Sequence, residues 1–191
     1  MAISNLEVPV RQIFWGNILF TVCCGFYLAW WLLAFCPSGA RGGLKSGWLL
    51  IPTLLTGVAA LALSITGMRE AARIAPCLPV SYILWGGIIA YLILIVATTA
   101  LLKRPVTAEL ILIVGWTMLA LSEVNILHGS GLLSFRTSFI LASVIGLAAL
   151  ISLACYVLYY HLGSWAGYID GMIPLLLAAL VMAGICISMT A

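Results

Sequence analysis

The chain has 191 residues, of which 65% are hydrophobic and 7% charged, with a mean hydropathy of +1.26 and a formal net charge of +3. A water-soluble domain carries about 25% charged residues because its surface faces water, so this chain cannot cover a soluble surface and lipid must be its solvent. The small net charge and the absence of a basic run set nucleic acid aside as a partner.

A membrane-crossing helix needs about 20 apolar residues at a rise of about 1.5 Å each. The first such stretch is 12–36, QIFWGNILFTVCCGFYLAWWLLAFC, closed by the helix stop Pro37-Ser38-Gly39. Trp15 near its start and Trp30-Trp31 near its end suit the two interfaces. The preceding MAISNLEVPVRQ lacks the basic start of a signal peptide and contains Glu7, so a retained first helix is expected. A second span is expected over 47–68, then the charged loop Arg69-Glu70-Ala71-Ala72-Arg73, then a third span over 78–102.

Lys103-Arg104-Pro105 makes a short polar break before the fourth span, 107–128, which contains ELILIVGWTMLALSEVNILH from Glu109 to His128. The fifth is expected over 137–160 and the sixth over 168–188. The fold class is therefore all-α: a polytopic integral membrane protein with six transmembrane helices, residues 1–191 forming one such domain. Both termini fall on one side of the bilayer. Arginine and lysine are tied across the two faces. Arg11, Arg69, Arg73 and Arg136 lie on the terminal side and Arg41, Lys45, Lys103 and Arg104 opposite, so charge bias sets no orientation. GVAAL at 57–61 and GLAAL at 146–150, with Tyr82-Ile83 and Tyr168-Ile169, hint at a 3+3 inverted repeat, an architecture of transporters.

Lipid tails are as apolar as leucine, so association rests on close packing and interhelical hydrogen bonds. Small residues at four-residue spacing suit that approach: Thr56, Ala60 and Ser64 on span two, Ser138, Ala142 and Gly146 on span five, Ala179 and Ala183 on span six. The six cysteines form no C-x-x-C pair and read as small packing residues, and Cys36 and Cys77 are expected on opposite faces. Pro52 and Pro174 would kink or break spans two and six.

Span four alone carries a carboxylate well inside it. A charge there costs about 2.5–3.5 kcal/mol on insertion scales, which makes Glu123 the first candidate for function. Glu109 lies fourteen residues earlier on nearly the same helical face, about 21 Å away along the axis, so the two acids would stand at the two mouths of a polar path. Glu109 also suits the positive end of the helix dipole, a purely structural role. Ser122 and Asn125 are expected to orient Glu123, with His128 and Arg136 tuning it from the loop. Asp170 reads first as a helix cap, with Lys103 or Arg104 as alternative partners. Asn17, Thr21 and Cys24 on span one, and Ser152, Cys155 and Tyr159 on span five, form thin polar stripes.

No metal or cofactor is expected, because two histidines on opposite faces and scattered cysteines give no ligand spacing. His128 beside Ser130 in one short loop does not provide triad geometry. The leading functional reading is a small transporter or channel for a small polar or weakly ionic solute, coupled to protons through Glu123. Its partners would be the lipid bilayer, the solute and further copies of the chain as a homo-oligomer. A non-catalytic membrane subunit that docks a partner through the Arg69–Arg73 loop is the alternative. An intramembrane lipid-modifying enzyme using Glu123, His128 and Asp170 is the third. The expected location is the cell (inner) membrane, in a multi-pass arrangement.

Overall fold

The computed structural model of the protein describes residues 2–36, 47–100 and 108–190. Among them the chain is all-helical: α1 (Ala2–Ala34), α2 (Leu50–Ala71), α3 (Val80–Ala100), α4 (Ala108–Gly129), α5 (Phe135–Leu158), α6 (Ser164–Asp170) and α7 (Ile173–Thr190). Six stretches are long and apolar enough to cross a membrane, the last of them formed by α6 and α7 together. This is a multi-pass membrane protein. Arg41, Lys45, Lys103 and Arg104, half of the charge tally, lie outside the described residues.

α1 begins ten residues before the expected start of span one and carries Pro9 inside it. Its 33 residues span about 50 Å, more than the ~30 Å of a hydrocarbon core. The extension stays helical because it packs on the end of α2. A Cβ on Gly67 would stand 2.7 Å from the Pro9 carbonyl oxygen and 2.9 Å from Ile13, so only glycine admits that approach. Ile13 is buried there with Ala71 and Ile126.

The α1–α2 hairpin is the most intimate helix pair in the fold. A second group, α4, α5 and α7, encloses the main core around Trp116, Ala120, Ile145, Val181 and Met182, and α1 closes it with Cys24 and Phe20. α3 stands apart. It packs on α4 through Tyr91, Leu94 and Ile95 against Leu110 and Ile113, and Thr98 is its one buried residue. α5 and α7 are in close contact, whereas α2 and α3, their counterparts in a 3+3 repeat, make no comparable approach among the described residues.

The connection from α4 to α5 is tight. Gly131 takes a positive φ of 79°, the Leu132 amide returns to the Leu127 carbonyl, and Ser134 caps α5 by accepting from the Thr137 amide. Pro52 and Pro174 fall in the first turns of α2 and α7, where no helical partner awaits their missing N–H, so neither kinks its helix. Span six is interrupted all the same. α6 ends at Asp170, Gly171 and Met172 turn, and α7 starts at Ile173.

Candidate functional site

Glu123 is fully enclosed, at 0% exposure, about 9 Å of helical rise before the end of α4 at Gly129. Asn17 of α1, also at 0%, donates from Nδ2 to Glu123 Oε2 at 2.7 Å. The Ser64 side chain of α2 contacts the same carboxyl group. Cys186 of α7 borders it electrostatically and reaches the Phe14 carbonyl at 3.6 Å. Four of the six spans thus meet at one acid.

Gly16 makes this meeting possible. A Cβ there would collide with Ser64 Oγ and stand 3.0 Å from the Ser64 nitrogen and 3.2 Å from the Ala60 carbonyl. With only hydrogen at position 16, α1 lies close enough on α2 for the Asn17 amide to reach across to α4. Thr21 turns inward on its own helix, donating to the Asn17 carbonyl at 2.9 Å.

Two acceptors in this cluster lack a donor: Glu123 Oε1 and Asn17 Oδ1 are buried with no hydrogen-bond partner. No lysine or arginine contacts the carboxyl group among the described residues. Each such orphan costs about 1–3 kcal/mol when desolvated. Two of them, on the two residues already joined by a 2.7 Å bond, mark the site as unusual.

The other expected site residues divide. Asn125 sits two positions from Glu123 but projects elsewhere, donating from Nδ2 to the Leu78 carbonyl at 2.9 Å and so fastening the α2–α3 connection. Successive helical residues differ by about 100° in direction, which is why adjacency in sequence did not become adjacency in space. Ser122 is buried next to Glu123 in sequence. His128 is exposed, its Nδ1 3.1 Å from the Leu133 carbonyl and its ring 6.1 Å from that of Phe135, so it braces the α4–α5 turn. Arg136 is exposed. Glu109 is exposed in the first turn of α4, where its charge acts on Tyr27 of α1. Ser64 and Cys186 are the partners that the sequence did not assign to the acid. Ser64 stood out only as a member of a small-residue row.

Asp170 is no cap of α7. It is the last residue of α6, 7% exposed, with Cys155 of α5 in hydrogen-bonding contact and its Oδ2 without a partner. Its suggested partners Lys103 and Arg104 lie outside the described residues. α6 is pinned to the end of α1 by Trp31 Nε1, which donates to the Tyr168 carbonyl at 3.1 Å, and by Tyr168 hydroxyl donation to the Leu32 carbonyl at 3.2 Å. No group of three His, Cys, Asp or Glu residues suited to a metal occurs among the described residues. No protein-family model, curated protein or solved structure matches the chain.

Proposed function

We propose that the protein is a proton-coupled carrier for a small polar or weakly ionic solute, in which Glu123 takes up and releases the proton. The observation that supports it is the matched pair of orphaned acceptors, Glu123 Oε1 and Asn17 Oδ1, beside an existing Asn17-to-Glu123 bond. One proton answers both deficits, because a carboxylic acid and a primary amide complement each other with two hydrogen bonds. Loss of that proton leaves a charge enclosed between helices, which favours parting of the α1–α2 hairpin from α4 and entry of water or solute. The enclosed arrangement is then the closed state of the carrier. A protein that works on a proton gradient belongs in a membrane that sustains one, in keeping with the cell (inner) membrane.

The test is flux into proteoliposomes, with an internal pH dye reporting proton entry as amines, amino acids and sugars are added in turn. Wild type is expected to move protons with at least one solute class. Glu123→Gln, which keeps the shape and an amide partner for Asn17, is expected to abolish that coupling. Full pH-dependent flux in Glu123→Gln would overturn the assignment.

A second reading, a membrane subunit that docks a partner, is favoured by α3. Among the described residues this helix meets the fold mainly through α4 and keeps most of its surface exposed, and Arg69, Glu70 and Arg73 in the stretch before it are exposed. Purification that always brings one further protein, with no flux by the chain alone, would favour this reading.

A further inference from the structure

We infer that Asp170, at the break in the sixth span, is the centre of a second site that binds a small monovalent cation of the sodium class. Three features meet there. Asp170 is more than nine-tenths buried, yet its Oδ2 has no hydrogen-bond partner among the described residues, and the Cys155 thiol lies against the carboxyl group. The Asp170 backbone carbonyl would bond the amide four residues on in a continuous helix, but that residue is Pro174, which has no N–H. The chain turns at Gly171 and Met172 between α6 and α7, with Gly171 still at helical φ and ψ, and interruptions of a membrane helix are places where carbonyls and a carboxylate can hold sodium.

The chemistry selects the ion. A divalent cation such as calcium takes six to eight oxygen ligands, often several of them charged, and here a single carboxylate is present. A single positive charge balances that carboxylate and can draw on Oδ2, the acceptor left without a donor. Trp31 holds the break in place from α1: a Cβ on Gly171 would collide with its ring, and its indole bonds the Tyr168 carbonyl. The Asp170 site lies sixteen residues before Cys186, the α7 residue near Glu123 of α4, so the two acids neighbour opposite ends of span six. This inference does not depend on Glu123 carrying a proton.

The experiment uses the full chain in detergent, titrated with sodium chloride or potassium chloride against choline chloride at equal ionic strength. Thermal unfolding is followed by tryptophan fluorescence. A saturable rise in Tm with sodium over choline is expected for wild type and for Glu123→Gln, and its loss is expected in Asp170→Asn. No rise over choline in wild type, or an undiminished rise in Asp170→Asn, overturns the site. Should Asp170→Asn fail to fold, wild type alone decides. A hydrophobic carbodiimide labels buried carboxyl groups, and mass spectrometry maps the adducts. Sodium is expected to slow labelling at Asp170 several-fold and leave Glu123 unaffected, and equal rates at Asp170 with and without sodium refute the proposal.

Discussion

Asn17 and Glu123, 106 positions apart in the chain, are joined by a 2.7 Å hydrogen bond in the interior of the helix bundle. Asn17→Leu removes the donor and leaves the carboxyl group short of a partner, at an expected cost of about 1–3 kcal/mol. The double variant Asn17→Leu/Glu123→Leu should recover most of that loss, since removing both partners for apolar groups is close to neutral. Interhelical polar pairs in membranes average about 0.6 kcal/mol and reach about 1.7, and this enclosed pair is expected near the upper end in a double-mutant cycle. Strict additivity of the single variants would contradict a direct pairing.

The approach of α1 to α2 depends on glycines that have no room for a side chain. Gly16→Val and Gly67→Val would press on Ser64 and on the Pro9 carbonyl and are expected to cost about 1–3 kcal/mol by overpacking. Gly25→Ala and Gly146→Ala meet nothing within 4 Å and should leave Tm unchanged or slightly raised. Thermal unfolding of the four variants in one detergent checks the contrast.

Asn125 and Glu123 share a helix but no partner. Asn125→Leu loses the bond to the Leu78 carbonyl and should destabilise by about 0.5–1.5 kcal/mol. Combined with Glu123→Gln, its effect is expected to add within about 0.5 kcal/mol, as for independent sites. A large coupling would mean that the two side chains act together.

Cys36 follows α1 and Cys77 follows α2, so one helix crossing separates them, and both are half-buried cysteines outside any disulfide among the described residues. A membrane-impermeant maleimide applied to sealed vesicles should label one of them from outside and the other only after permeabilisation. Cys24, Cys155 and Cys186 are buried and should remain unlabelled in both cases. Labelling of Cys36 and Cys77 from the same side would overturn the six-span topology.

The six spans were legible because a bilayer imposes a length of apolar chain that nothing else in this composition requires, and charges and prolines mark the ends. Their limits moved where neighbours intervened. The first twelve residues carry Glu7, Pro9 and Arg11 and read as a lead-in, yet contact with Gly67 and Ala71 of α2 keeps residues 2–12 helical. That Glu123 is set apart was also plain from a carboxylate inside an apolar run. Its partners were not. These helices are apolar on nearly every face, so no periodicity separates a lipid-facing side from a buried one, and a small residue such as Gly16 gives no sign of which helix it admits. Composition and charge spacing alone settle that the chain crosses a membrane six times. Only tertiary packing, through the close approach of α1, α2, α4 and α7, decides that Asn17, Ser64 and Cys186 come to the acid while Asn125 bonds the Leu78 carbonyl, because contacts between distant helices depend on shape as well as on order along the chain.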